Sequence, residues 1–287
     1  MRILEFLIQS NIYISLAAVL LALSTRIQLG LSPQWQPYLF ILFFATLLEY
    51  NLHRLVSILS NRECLNSEKH RWVKDHLMLF YGIVALSFAG FIAVLYLANR
   101  AVLMILSPVA LVTLLYSVPF LGLKAHLFRI RQIPYLKIFL IALVWTYVTI
   151  LLPAYLAGKE NETATICWMM MERFLFIFAV ALPFDIRDMD TDKISGLSTI
   201  PMLVGAHHAM VLSCLALLGS GAISMIHYYS SGYPFISVAL MVSCLSTFLL
   251  LTNHRLKRWP YYYHGLLDGA LLLQGILVLS FYFLSLV

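Results

Sequence analysis

Long apolar runs dominate this chain of 287 residues and restrict the folds open to it. Hydrophobic residues make up 62% of the sequence and the mean hydropathy is +0.88, well above an ordinary globular composition. A transmembrane helix needs about 20 mostly apolar residues. The sequence therefore predicts an all-α polytopic membrane bundle of about nine transmembrane helices, in one domain over residues 1–287. The predicted spans are 11–30, 37–58, 77–98, 101–121, 135–156, 165–184, 207–228, 234–252 and 264–287.

Basic residues are distributed unevenly between the connecting segments. Fifteen of the nineteen Lys and Arg residues lie at the amino terminus or in and beside the four longer loops, which follow spans two, four, six and eight. Such residues concentrate on the cytoplasmic side of membrane proteins. The pattern predicts a multi-pass protein with its amino terminus and long loops in the cytoplasm and its carboxyl terminus outside. We expect a prokaryotic cytoplasmic membrane. In a membrane protein a net charge of +6 reflects basic cytoplasmic loops, so we expect contact with membrane lipid and no nucleic-acid partner.

The most acidic stretch follows the sixth span. Four of the thirteen Asp and Glu residues fall between positions 185 and 192, although only 11% of the chain is charged. On a helix, Asp185, Asp188 and Asp192 would share one face, whereas Asp190 would point away. Like charges on one face repel unless a cation lies between them, and carboxylate oxygens suit Mg²⁺. Because ionisable groups at a membrane boundary are costly and usually functional, we predict a magnesium site there.

Two other groups of polar residues are predicted at the same membrane face. Asn51, His53 and Arg54 lie at the end of the second span. Tyr116 and Lys124 lie at the end of the fourth span and in the loop after it. A helical bundle would bring both groups to the acidic stretch in one cytoplasmic pocket. Carboxylates, basic side chains and an apolar chamber together suit a diphosphate ester with a long apolar tail.

The acidic stretch also carries a family resemblance. Residues 185–199, Asp-Ile-Arg-Asp-x-x-x-Asp-Lys-x-x-Gly-x-x-Thr, resemble the second aspartate-rich motif of the UbiA superfamily of intramembrane prenyltransferases, and are most similar to its menaquinone and chlorophyll branch. Tyr116-Ser-x-Pro with Lys124 resembles the family's loop after the fourth helix. The resemblance covers essentially the whole chain. It implies a UbiA-like domain that uses Mg²⁺ to transfer a polyprenyl group from a polyprenyl diphosphate to an aromatic or other lipophilic acceptor, as in quinone biosynthesis.

The resemblance further implies roles for single residues. Asp185, Asp188 and Asp192 are the expected metal ligands and, together with Tyr116, the expected catalytic residues. Tyrosine rings attract cations through their π faces, which suits an allylic cation. The side chains expected to bind the diphosphate are Asn51, His53, Arg54, Lys124, Arg187 and Lys193.

The first motif departs from the family pattern. Family members usually show Asn-Asp-x-x-Asp at the end of the second span, and this chain has Asn-Leu-His-Arg-Leu at residues 51–55. Leucine therefore replaces both aspartates, at Leu52 and Leu55. We expect His53 and Arg54 to contact the diphosphate directly and to reduce the need for a second metal ion.

Three other functions remain open on the sequence. A non-catalytic member of the same fold would bind a polyprenyl lipid or quinone without transferring it. A CDP-alcohol phosphotransferase is also Asp-rich and membrane-embedded, but the chain's Asp-Gly pair, Asp268-Gly269, follows the acidic stretch and lacks the expected Ala-Arg. A transporter shares the buried charges and the repeat-like topology. The sequence specifies neither the acceptor, the prenyl chain length nor the oligomeric state.

Overall fold

The computed structural model describes residues 3–60, 71–117, 120–121, 127–128 and 133–286. Within these ranges the regular structure is helical except for two short antiparallel strands, β1 (Phe120–Leu121) and β2 (Leu127–Phe128). The predicted all-α class is confirmed. The first half contains α1 (Ile3–Gln9), α2 (Ile12–Gln28), α3 (Tyr38–Ser60), α4 (Arg71–Asp75), α5 (Leu77–Leu97) and α6 (Arg100–Ser117).

The second half of the chain continues the helical pattern. It contains α7 (Leu136–Thr146), a π-helical turn (Tyr147–Leu151), α8 (Leu152–Leu156), α9 (Thr163–Arg187), α10 (Met189–Ile194), α11 (Ile200–Val204), α12 (Ala206–Ser230) and α13 (Pro234–Thr252). A 3₁₀ turn (Leu256–Arg258), a second π-helical turn (Tyr262–Leu267) and α14 (Asp268–Leu284) follow.

The candidate membrane spans agree closely with the predicted ones. In the described ranges, seven helical stretches are long and apolar enough to cross a membrane: α3, α5, α7 through α8, α9, α12, α13 and the second π turn with α14. The pair α1 and α2, bent by 79°, makes an eighth. The remaining predicted span corresponds to α6, a shorter apolar helix that contains Pro108. The chain is therefore an integral, multi-pass membrane protein.

The bundle is built around α2 and α9, which lie in its interior. Helix α9 packs along α7 and α12, while α14 packs along α2 and against α13. Small residues let membrane helices approach closely. At Gly275 of α14, a Cβ atom would lie 2.8 Å from the backbone carbonyl carbon of Leu20, so this contact requires glycine. The close packing fixes the helix ends that carry the polar residues.

Candidate functional site

The break between α1 and α2 is fixed by an amide side chain from α3. Asn11 adopts a left-handed conformation at the break, with φ of 64°, which Asn tolerates better than most residues. Its Nδ2 donates to Oδ1 of Asn51 at 2.9 Å. The Nδ2 of Asn51 donates to the carbonyls of Ser10 at 3.0 Å and Leu47 at 2.8 Å. Both N–H groups of this fully buried amide are thus engaged in holding the bend.

A cavity of about 440 Å³ opens at the end of the bundle where α3, α6 and α9 end and α7 begins. Its size is typical of small-molecule sites. One wall is apolar and belongs to α6 and α7. The apolar lining is formed by Val112, Leu140, Ile141, Val144 and Trp145.

The polar wall of this cavity collects residues from all three groups predicted by the sequence. His53 and Arg54 of α3, Tyr116 of α6 and Asp188 beyond α9 line it. Asn51 is buried outside the lining, as described above. The expected diphosphate ligand Lys193 is exposed and also lies outside the lining.

The expected diphosphate ligand Lys124 lies outside the described residues. The polar wall also contains Glu49, which belongs to the polar end of the second span but has no role predicted from the sequence, and His264, which the sequence does not single out. Glu49 accompanies His53 on α3, with Oε1 3.1 Å from the imidazole Nε2. The signal for Glu49 in the sequence was its position one helical turn before His53.

Lys137, in the first turn of α7, connects the two most buried aspartates of the acidic stretch. Its Nζ is 2.9 Å from Oδ1 of Asp185 and 2.9 Å from Oδ2 of Asp192. The two aspartates are only 3% and 7% exposed. Lys137 also lines the cavity. Lys137 is one of the fifteen basic residues whose distribution predicts the topology, and its place at the start of an apolar run is the indication in the sequence of a functional role.

Asp188 faces the cavity because the helix ends just before it. Helix α9 ends at Arg187 and α10 begins at Met189, so the three aspartates do not share one continuous helical face. The guanidinium of Arg187 binds the Asp188 carboxylate through two bonds, Nε–Oδ1 at 2.8 Å and Nη2–Oδ2 at 2.9 Å. Arg187 is therefore engaged by its neighbour.

Aromatic rings hold this ion pair in place. The Arg187 guanidinium lies 4.6 Å from the ring centroid of Tyr263 and 5.2 Å from that of Phe184. Cation–π contacts of this kind are worth about 0.5–2 kcal/mol each. His264 lies on the same side, with Nε2 3.4 Å from Nη1 of Arg187. The pair is thus a rigid part of the cavity wall.

Arg54 combines a structural contact with a place in the cavity lining. Its Nη1 donates to the carbonyl of Gln9 at 2.6 Å, at the end of α1. The guanidinium carries five N–H donors, so further donors remain for a ligand. The His53 ring meets the Tyr116 ring edge-on at 6.0 Å. Helices α3 and α6 therefore present a cation, an imidazole and a phenol ring to the cavity.

The three aspartates do not fit the magnesium site predicted for them. The described residues contain no group of three or more His, Cys, Asp and Glu side chains able to hold a metal ion. The ammonium group of Lys137 lies between Asp185 and Asp192, where the sequence placed the metal. Asp188 lies apart from that pair and binds Arg187. A lysine thus supplies the positive charge that two neighbouring carboxylates require.

A second cluster of charged residues lies deeper in the bundle, away from the cavity. Arg173 of α9 is fully buried, and its Nη2 donates to Oε1 of Gln28 at 2.8 Å. The Nε2 of Gln28 donates to Oε2 of Glu172 at 3.2 Å. At 1.5 Å per residue, Arg173 lies about 18 Å from Asp185 along α9. We call Gln28, Glu172 and Arg173 the closed cluster.

Comparison with known proteins agrees with this architecture. The model of the UbiA prenyltransferase family matches residues 73–267. The apo structure of a UbiA homolog from Aeropyrum pernix K1 is similar over 100% of both chains, with a TM-score of 0.63 and 17% identity. A structure described as digeranylgeranylglyceryl phosphate synthase in membranes is similar over 95% of this chain and 97% of its own, with a TM-score of 0.53 and 15% identity. No curated protein matches the sequence.

Proposed function

The chain belongs to the UbiA prenyltransferase family, and from this premise we propose that it transfers a polyprenyl group from a polyprenyl diphosphate to an aromatic or other lipophilic acceptor within the membrane. The observation that carries the proposal is the two-sided cavity. One wall, on α3 and at the start of α7, presents cations, and the other, on α6 and α7, is apolar. An amphiphilic diphosphate ester matches both walls.

The polar wall is suited to the leaving diphosphate. As the bond between the prenyl carbon and the diphosphate oxygen breaks, negative charge accumulates on the diphosphate. Arg54 and Lys137 are cations fixed in the wall before the reaction begins, and such preorganised charges stabilise developing charge better than mobile water does. Asp188 and Glu49 are the carboxylates of the cavity lining, and they would contact a Mg²⁺ ion that entered as the counter-ion of the donor diphosphate.

The opposite wall is suited to the prenyl chain and its cation. Leu140, Ile141 and Val144 line the apolar side, where burial of each CH₂ group contributes about 0.8 kcal/mol. Trp145 on this wall and Tyr116 on the polar wall both place aromatic rings in the lining. The π faces of such rings attract a developing allylic cation. In this arrangement Tyr116 acts on the cation and the basic residues act on the diphosphate.

The proposal places the cavity and the amino terminus in the cytoplasm of a prokaryotic cell. The support is the distribution of Lys and Arg, which concentrate at the bundle end that carries the cavity as expected for cytoplasmic segments. Reporters fused within the segments after α3 and after α9 should both give a cytoplasmic signal. A reporter in the segment between α12 and α13 should give the opposite signal, and the reverse pattern would overturn the orientation.

The direct test uses purified protein in lipid nanodiscs with Mg²⁺. Radiolabelled polyprenyl diphosphates of several chain lengths are supplied with and without aromatic or lipid acceptors, and released diphosphate is measured. The proposal predicts acceptor-dependent release together with a labelled lipophilic product. Donor binding without release, under all acceptors supplied, would contradict transfer.

A non-catalytic lipid binder is the second candidate. It is favoured because Leu52 and Leu55 stand where family members carry the two aspartates of the first motif. Leu52 is 39% exposed at the outside of the bundle, and Leu55 packs against the apolar cluster around Ile58 and Phe80. Neither leucine lines the cavity. A binder would hold the donor at the same site but release no diphosphate. Because both leucines lie outside the lining, introducing Asp at these positions should not create activity in either case.

A further inference from the structure

The Lys137 ammonium is held in an arrangement normally suited to a metal ion. It contacts one oxygen of Asp185 and one of Asp192, each at 2.9 Å. Charge-assisted hydrogen bonds of this length are strong. An ammonium carries three N–H donors, and two of them are engaged by these carboxylates. Since Lys137 also lines the cavity, the third donor is available to an anion there.

The carboxylates around Lys137 resemble a ligand set for a divalent cation. Both are nearly buried, and Oδ2 of Asp185 has no hydrogen-bond partner among the described residues. An unpartnered buried carboxylate oxygen is costly. Together with Oδ1 of Asp185 and Oδ2 of Asp192, it would give a cation three oxygen ligands, the type that Mg²⁺ and Mn²⁺ prefer. The ammonium group contacts two of these three oxygens, in the place that such a cation would take.

We propose that Lys137 is a permanent cation of the site, replacing a divalent ion held between Asp185 and Asp192, and that it binds the diphosphate of the donor through its remaining N–H. That the bound anion is a diphosphate rests on the proposed function. The replacement of a metal ion by Lys137 does not. A lysine cannot dissociate with the product. The site then needs no divalent ion bound between these two aspartates before the donor arrives.

The cation part is tested with Mn²⁺ alone, by electron paramagnetic resonance on the purified protein without donor. In the parent protein, changing Asp192→Asn should leave the amount of bound Mn²⁺ unchanged. Lys137→Ala should add one Mn²⁺ site, at least tenfold tighter than any in the parent, and Asp192→Asn should remove it again. Lys257→Ala, which removes a lysine from another loop, should add no site.

Two results would overturn the replacement. One is a Mn²⁺ ion bound by the parent and lost in Asp192→Asn. The other is a folded Lys137→Ala protein with no additional site. If Lys137→Ala fails to fold, the pairing is tested by thermal unfolding instead. The midpoint of Lys137→Met is then compared with that of the triple variant Asp185→Asn, Asp192→Asn, Lys137→Met. The triple variant should unfold at a higher temperature than the single one, because it removes the unpaired carboxylates; an equal or lower midpoint contradicts the pairing.

The anion part is tested with inorganic diphosphate as the probe. In the presence of EDTA, the parent should bind diphosphate at least tenfold more tightly than Lys137→Met, while Lys257→Met should match the parent. Equal affinity for the parent and Lys137→Met would show that Lys137 is a structural residue and overturn this role. Absence of prenyl transfer in the parent would overturn the proposed function and leave both binding results standing, so the two failures are distinguishable.

Discussion

The cavity and the closed cluster both place charged side chains in an apolar bundle, but they do so differently. Around the cavity, Arg54, Lys137 and Asp188 each border open space. In the closed cluster, Arg173 and Glu172 are at most 1% exposed and border none of that cavity. A buried charge next to a cavity can act on a ligand, whereas an enclosed one acts on the fold.

The neighbours of Arg173 support this distinction. Besides Gln28, its guanidinium donates to the carbonyl of Leu21 at 3.3 Å and to the hydroxyl of Ser24 at 3.4 Å. These partners belong to α2, so the cluster connects α9 to α2 in the bundle interior. The π-helical turn lies beside it, since the Thr149 carbonyl there accepts from the Thr25 hydroxyl at 2.6 Å. Polar residues in this region hold helices together.

The largest effect is expected from breaking the closed cluster. Arg173→Met should lower the free energy of unfolding by about 3–5 kcal/mol, because it leaves the Glu172 carboxylate buried without its cationic neighbour. Unfolding in mixed micelles of increasing SDS content measures it. Adding Glu172→Gln to this variant should restore part of the loss. The control Arg100→Met, at an exposed position, should change the free energy of unfolding by less than about 0.5 kcal/mol. An equally small change for Arg173→Met would contradict a structural role.

The next largest effect concerns the cavity. Asp188→Asn should lower the rate of diphosphate release by roughly a hundredfold, because it removes one of the two carboxylates of the lining and frees Arg187 from its position. Its unfolding midpoint should stay near that of the parent. Asp190→Asn is the matched control, since this aspartate lies in the same stretch but is exposed. Equal loss in both variants would mean that the stretch acts only as a polar helix end.

A smaller effect is expected at Arg54, which lines the cavity and also makes a structural hydrogen bond. Arg54→Ala should weaken donor binding by about 30-fold, because a fixed guanidinium near a phosphate is lost. It should also lower stability through the lost bond to the Gln9 carbonyl. Asn51→Ala separates the two effects: it should lower stability by roughly 1–3 kcal/mol and leave donor affinity nearly unchanged. Isothermal titration with the donor measures the affinities, and a stronger donor effect for Asn51→Ala would reverse the assignment.

The smallest effect is expected on the apolar wall. Val144→Phe places a larger side chain on this wall and reduces the space beside it. It should therefore lower the use of long-chain donors relative to short ones by roughly fivefold. Competition between two labelled donors of different length gives this ratio directly. Val211→Phe, on the exposed face of α12, should leave the ratio unchanged. A shifted ratio in both variants would indicate a general effect on the bundle.

The sequence predicted the helices better than the contacts between them. Apolar runs define spans directly because the membrane thickness sets their length. The role of Asn51 was not predictable, because its partner Asn11 lies forty residues away and meets it only after α1 and α2 bend. Lys137 was missed for the same reason: its aspartates come from another part of the chain. The position of Asp188 in the cavity lining was not predictable either, because it depends on α9 ending at Arg187.

A second cavity supplies the comparison that tests the account most directly. It has a volume of about 310 Å³ and lies between α3, α5 and α6, where Tyr38, Val94 and Val102 are among the lining residues. A polyprenyl diphosphate with a diazirine at the end of its chain can be photolysed on the parent protein, and the labelled peptides identified by mass spectrometry. We expect labelling near Val112 of α6 and between Leu140 and Trp145 of α7, reduced by excess unlabelled donor. Labelling around Tyr38 and Val102, with none in α7, would contradict the central claim.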